Sequence, residues 1–246
     1  KYGSDVEFTG MLYGKILRSP YAHAVIENID YSEAIKHPEF KALVSHQDLL
    51  ISGVNHNPNK KNGDAFVKPS TDSYTEVNSK LLDENVLANN KVFYVGHPIL
   101  AVASSNSHNA QEILDLIKIK YKVLQSVTNI EESLDRNSPK LHNGFIPPVN
   151  FNGKISSQNI TNQMELNLGD FSSAIKGCDN VFSDTYLTST VHQGYIEPQS
   201  ATAIWNNDDK LTIWCSSQGH FGIREQVSKI LNLPISSIKI VPMEIG

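Results

Sequence analysis

Residues 211–226 read LTIWCSSQGHFGIREQ. The run opens as a β-prone strand through Leu211, Ile213 and Trp214. It breaks at Cys215-Ser216-Ser217-Gln218-Gly219, and a helical pattern follows with Phe221, Ile223, Val227 and Ile230 on one side. A buried strand therefore ends in a tight polar turn that opens a helix. Such a turn gathers side chains and free helix N–H groups at one spot, which suits anionic ligands. Gln218 sits there with an amide that donates and accepts hydrogen bonds but does not titrate. It can position a ligand oxygen without acting as acid or base. Alone, though, a Gln in a strand–turn–helix junction is an ordinary turn residue.

Working outward, Ser200–Trp205 and Lys210–Trp214 are spaced to pair as a hairpin through Asn206-Asn207-Asp208-Asp209. After the helix, Leu233-Pro234-Ile235-Ser236-Ser237 leads into a last strand, Ile238–Val241. Pro242–Gly246 then starts a turn, and the elements on hand close no domain, so the pattern predicts a domain cut off partway. Upstream, Asp170 is placed to cap a short helix. Val181–Thr190, rich in Val, Phe, Tyr and Thr, reads as a strand. The segment Val191–Gln199 follows it.

The N-terminal half carries a strand opened by Gly10, a rigid Ser19-Pro20 corner, and a half-buried strand at Ala24–Asp30. A helix start near Asp30–Glu33, a strand at Phe40–Ser45 and a short helix at His46–Leu50 come next. Residues 52–79 read as a long polar loop, and His56 within it has no partner at a metal-binding spacing. Two short strands then flank Gly96-His97-Pro98, a helix begins near Asn106, and Ile117–Val123 alternates as a strand. The pattern is α+β, with a first domain over residues 1–128, a Pro-, Gly- and Asn-rich connector over 129–161 that includes His142, and a second, incomplete domain over 162–246.

Composition narrows the partners. Of the 246 residues 39% are hydrophobic, enough for a core, and the net charge of -5 is spread without a basic block, which argues against nucleic acid. The sequence has no apolar run of membrane-spanning length and no signal peptide at Lys1–Asp5. Two cysteines, Cys178 and Cys215, are too few for a disulfide framework and read as small buried thiols. Together these features predict a cytoplasmic protein.

In order along the chain, these segments resemble the molybdopterin-binding large subunit of the xanthine dehydrogenase/aldehyde oxidase/carbon monoxide dehydrogenase family. Gly14–His23 is similar to that family's opening strand and corner. Val92–Ala103 resembles its V-x-Y-V-G-x-P-V-A-x-V-A, and Val191–Ala201 its Glu-Pro segment. Ile213–Gln218 is similar to its W-x-S-T-Q, and Ile240–Gly246 to the lead-in to its G-G-x-F-G loop.

The resemblance implies an α/β hammerhead domain followed by the truncated first part of a molybdopterin-binding domain. It implies that Gln218 stands beside the molybdenum, that Gly219, His220 and Phe221 continue the cofactor-facing turn, and that Gly246 is the first glycine of the loop. None of these is implied as a direct metal ligand. The implied chemistry is oxidation of a small molecule with oxygen from water, on a molybdenum-molybdopterin cofactor. Electrons would leave through 2Fe-2S and FAD centres on partner iron-sulfur and FAD subunits. The family's catalytic base and most pterin contacts lie downstream of its glycine loop, so this portion would be inactive without a C-terminal molybdopterin-binding counterpart. Glu197, Glu225 and Glu244 are carboxylates near these motifs, with no assigned role. Cys215 stands where the family often has Ser. Two other readings compete: a non-catalytic assembly or binding module that keeps the hammerhead fold, and a degenerate fragment.

Overall fold

A computed structural model of the chain describes residues 1–51, 85–142, 158–160, 166 and 168–246. The polar loop expected at 52–79 with His56, and the start of the second domain expected at 162, lie outside the described residues. The chain forms two compact units: Lys1–Leu124 together with Tyr195–Gly246, and Gln125–Gly194.

In the first unit, β1 (Tyr13–Arg18), β5 (Pro98–Ser104) and β3 (Phe40–Ser45) make an antiparallel sheet with β5 central. A second antiparallel sheet is ordered β4 (Lys91–Val92), β2 (Ala24–Asp30), β6 (Lys118–Val123). Successive strand residues point to opposite faces. Leu100 and Val102 accordingly join Ala34, Ile113, Leu114 and Ile117 in one core, while Ile99 joins Ala24, Ala88 and Val92 in another. Burying a side chain of the size of Leu100 or Ile113 contributes roughly 1.5–3 kcal/mol.

The helix α2 (Ser107–Asp115) supplies Ala110, Ile113 and Leu114 to the first core, and Asn106 caps it by accepting from the Asn109 amide at 2.9 Å. The short helix α1 (His46–Ile51) follows β3 directly. The helix start expected near Asp30 is reduced to a single 3-10 turn at Ala34–Lys36, because Asp30 accepts from the Ser32 amide and closes a tight local turn instead. The turn between β4 and β5 needs Gly96 at φ 88, a left-handed value that favours glycine. His97 behind it is fully buried, and its Nδ1 accepts from the Phe93 amide at 3.1 Å.

The third sheet has β8 (Leu211–Ser216) at its centre, antiparallel to β7 (Ala201–Trp205) and parallel to β9 (Ile238–Met243). Helix α5 (His220–Leu231) makes the crossover between the parallel pair. It ends at Asn232, which takes the left-handed conformation with φ 50. Arg224 of α5 donates from two nitrogens to the Ile235 carbonyl, at 3.0 and 2.7 Å, and ties the helix to the approach to β9. The N-terminal residues lie on this sheet too. Tyr2 bridges to Glu244, Gly3 is buried, and the Phe8 ring meets Trp214.

The second unit carries α3 (Ile130–Leu134), capped by Asn129, and α4 (Phe171–Lys176), capped by Asp170 as the sequence predicts. In its connector Asn159 accepts from the Leu141 amide and donates to the Pro139 carbonyl. His142 is half-buried. The strand expected at Val181–Thr190 does not form among the described residues; the segment is extended and exposed, with Phe182 94% and Leu187 85% accessible. A β-prone sequence becomes a strand only when a neighbour takes its N–H and C=O groups.

Cys178 also departs from expectation. It is exposed just past the end of α4, where its thiol donates to the Ala174 carbonyl at 3.4 Å. Cys215 is buried in β8 as predicted, and loss of solvent there pushes its thiol pKa up.

Candidate functional site

The parallel strands β8 and β9 run side by side, with Ser216 opposite Met243 at their ends. In open α/β sheets, the crevice outside the carboxyl ends of parallel strands is where ligands settle. The turn Ser217–Gly219 leaves β8 at that edge, and α5 starts from it at His220. Gln218 and Gly219 are exposed in this turn. The Gly219 amide donates to Ser217 Oγ at 3.0 Å, and no side chain caps the first turn of α5. Its N–H groups are thus available to an acceptor.

His220 and Phe221 diverge. The two rings touch at 5.0 Å between centroids, but Phe221 is 77% exposed while His220 Nδ1 is buried. That nitrogen has no hydrogen-bond partner among the described residues. A buried polar atom left unpaired is costly, so it marks a place where a further donor or acceptor belongs. Ser200 Oγ, immediately before β7, is buried and unpartnered in the same way.

Gly246, just past β9, joins the same edge. Its amide donates to Glu197 Oε2 at 2.6 Å, and Ser216 Oγ donates to Glu197 Oε1 at 2.9 Å. Glu197 therefore links the last residue of β8 to the residue beyond β9. A Cβ at Gly246 would lie 2.6 Å from Glu197 Cβ, so the approach itself requires glycine. No bond joins Gln218 directly to Gly246 among the described residues; the link runs through Ser216 and Glu197.

The other two carboxylates are occupied elsewhere. Glu225 pairs with Lys229 at 2.8 Å along α5, and Glu244 lies exposed at the bridge to Tyr2. No cluster of three or more His, Cys, Asp or Glu side chains arranged to hold a metal ion occurs among the described residues. Besides Glu197, this edge offers hydrogen-bond donors and acceptors: the Gln218 amide, the first amides of α5 and the His220 imidazole. That set fits an oxygen-rich, anionic cofactor whose metal is ligated from the cofactor side.

Residues 1–125 match the family model of the aldehyde oxidase and xanthine dehydrogenase a/b hammerhead domain. The chain belongs to the aldehyde oxidase and xanthine dehydrogenase family. Residues 154–246 match the molybdopterin cofactor-binding domain, so the Gln218 turn and Gly246 fall within it. Among curated relatives, a probable xanthine dehydrogenase subunit of Bacillus subtilis is 30% identical over all of this chain and 28% of its own length. The nicotinate dehydrogenase large molybdopterin subunit of Eubacterium barkeri is 28% identical over all of this chain and 50% of its own length. The chain thus spans half or less of these family members.

Solved structures agree on the fold. The Cu,Mo-CO dehydrogenase superposes with a TM-score of 0.74 at 22% identity, covering 100% of this chain and 29% of that one. Quinoline 2-oxidoreductase from Pseudomonas putida 86 gives 0.75 at 20% identity, covering 100% of this chain and 28% of that one. The α+β architecture expected from the sequence, with an α/β hammerhead domain leading into part of a cofactor-binding domain, is the architecture found.

What the sequence did not reveal is the linkage. Glu197 is 19 residues from Ser216 and 49 from Gly246, so no local pattern pairs them. Ser200 and Gly3, which meet at the same sheet, lie at opposite ends of the chain. The only signal was the Glu197-Pro198 dipeptide, whose purpose becomes visible once both partners are placed.

Proposed function

We propose that this chain forms the N-terminal portion of a molybdenum hydroxylase large subunit, with a hammerhead domain over 1–128, a connector over 129–161 and the first part of the cofactor domain over 162–246. The observation that carries the reading is the uncapped start of α5, set at the carboxyl edge of β8 with His220 Nδ1 buried and unpartnered beside Gln218. The family relation supplies the cofactor class. When bound, the molybdenum-molybdopterin centre supplies the oxidising chemistry, with oxygen drawn from water.

The residues of this chain bind and orient. Gln218 offers an amide N–H and C=O to cofactor oxygens without carrying charge. The first amides of α5, from His220 through Gly222, and the positive end of the helix dipole favour anionic groups. His220 offers its Nδ1 from a dry position, and Gly246 brings backbone close to the same edge. The catalytic base and remaining pterin contacts come from a C-terminal counterpart. Iron-sulfur and FAD subunits carry electrons away, and the complex works in the cytoplasm. No helix among the described residues is long and apolar enough to cross a membrane.

The test is molybdenum and pterin content of the full protein purified from its native cells, alongside Gln218→Ala. Stoichiometric molybdenum in the wild type, with an intact fold and slower turnover in the variant, is the expected result. Wild-type protein without molybdenum or pterin sinks the reading, and unchanged kinetics in Gln218→Ala removes that residue from the site.

A further inference from the structure

Glu197 is one of three carboxylates near the candidate site, and its surroundings distinguish it. It is half-buried, and each of its two oxygens holds a different donor: Ser216 Oγ at 2.9 Å on Oε1 and the Gly246 amide at 2.6 Å on Oε2. Hydrogen bonds to a carboxylate are stronger and shorter than neutral ones. The two donors belong to separate strands: Ser216 closes β8, two residues before Gln218, and Gly246 lies three residues past β9. The backbone at Gly246 comes so near that a Cβ there would sit 2.6 Å from Glu197 Cβ and 3.1 Å from Oε2. Contact, glycine and carboxylate are therefore matched to one another.

We propose that Glu197 is a positioning residue, which fixes Gly246 against the end of β8 and so sets the spacing between the two backbone segments, Gln218–Phe221 and Gly246, that face the cofactor. The inference rests on the reading that these segments hold the molybdopterin. A carboxylate anchored by two donors from its own chain serves as a clamp, not as the reaction's base. The sheet ladder ends at Ser216 and Met243. Beyond it the β8–β9 ladder no longer ties the departing chains to each other: Glu244 bridges to Tyr2 instead, and Glu197 joins Ser216 to Gly246.

The experiment compares wild type, Glu197→Gln and Glu197→Ala in the full protein, reading hydrogen exchange at the Gly246 amide and molybdenum per chain. Gln keeps the bridge, because its carbonyl accepts from Gly246 and its amide donates to Ser216 Oγ. Expected for Glu197→Ala is Gly246 exchange faster by roughly ten- to hundredfold, the factor for loss of one charge-assisted hydrogen bond. Its molybdenum retention should fall by roughly tenfold, as for other residues that orient a metal site from behind. Glu197→Gln, which keeps the bridge with neutral bonds, should lie between wild type and Glu197→Ala in exchange and hold its molybdenum. The proposal is overturned if Gly246 exchange is unchanged in Glu197→Ala, or if Glu197→Gln is as damaging as Glu197→Ala. Should Glu197→Ala not fold, Ser216→Ala removes one bond of the bridge; a smaller quickening at Gly246 supports the clamp and no change overturns it. A wild type lacking molybdenum defeats the cofactor reading alone, because the exchange contrast still reports whether Glu197 holds Gly246.

Discussion

The ring of Phe8 lies 5.1 Å from the ring of Trp214, tilted by 49°. This pair joins the N-terminal segment to the central strand of a sheet some two hundred residues later in the sequence. Tilted aromatic pairs at this separation contribute about 1 kcal/mol beyond the area they bury. Replacing Phe8 with Ala removes this pair and the area Phe8 buries, and should therefore lower unfolding free energy by more than about 1 kcal/mol. Denaturant unfolding monitored by Trp fluorescence measures it, since Trp214 reports the contact directly. An unchanged midpoint would mean that the N-terminal segment rests on the sheet without stabilising it.

Gly3 and Ser200 make a second test of the same seam. A Cβ on Gly3 would stand 2.5 Å from Ser200 Oγ and 3.3 Å from Ser216 Oγ. Ser200 Oγ is itself buried and unpartnered, so it gains nothing from its position in this portion of the protein. Gly3→Ala should destabilise by about 1–2 kcal/mol, the range for overpacking. Ser200→Ala should be neutral or stabilising, since it removes an unsatisfied hydroxyl. In the double variant the Gly3→Ala penalty should shrink, giving a favourable coupling energy in a double-mutant cycle. Simple additivity would show that the two residues do not meet. A Ser200→Ala penalty seen only in the molybdenum-containing protein would place that hydroxyl on a cofactor group.

Much of this arrangement was legible in the sequence, and the limits have physical causes. The strand–turn–helix at 211–226 was readable because its apolar spacing changes from strand to helix period at one polar break. The cap at Asp170 was readable because capping depends on residues three apart, whereas near Asn106 the helix start was readable and the capping residue was not. Val181–Thr190 misled because β-propensity describes a surface fit for pairing and does not supply the partner. Cys178 misled for a related reason: the β-prone run after it suggested a core that the described residues do not build around it. The Glu197 bridge and the N-terminal seam were illegible because tertiary proximity between distant, mostly polar residues leaves no periodic trace.

The two thiols should separate chemically. Cys178 is exposed, whereas Cys215 is buried with its pKa raised by desolvation. A thiol reagent at mildly alkaline pH should modify Cys178 quickly and Cys215 only on unfolding, because the thiolate is the nucleophile. The same shift predicts a pH dependence. Below the ordinary thiol value of 9.0 both folded and unfolded states keep the Cys215 proton, and the group contributes no slope. As pH rises through that value the unfolded chain loses the proton first, so the folded state binds more protons and stability falls. Cys215→Ser should flatten the loss between that value and the raised one. Equal labelling of the two cysteines in folded protein would contradict the burial.

His97 should be among the least replaceable residues of the first unit. It is fully buried, its ring stacks on Tyr94 at 4.5 Å and lies 5.8 Å from Phe93, and its Nδ1 accepts the Phe93 amide. Its own amide donates to the Tyr94 carbonyl, and its carbonyl accepts from the Ser19 amide at 2.9 Å, which pins the Ser19-Pro20 corner to this turn. His97→Ala leaves a cavity and an unpaired Phe93 amide, and should cost about 3–5 kcal/mol in unfolding free energy. His97→Asn preserves an acceptor while losing most of the ring packing, so it should recover part of the loss. The comparison separates the hydrogen bond from the packing. If Asn and Ala are equally destabilising, stacking against Tyr94 is the dominant contribution and the Phe93 amide finds another acceptor.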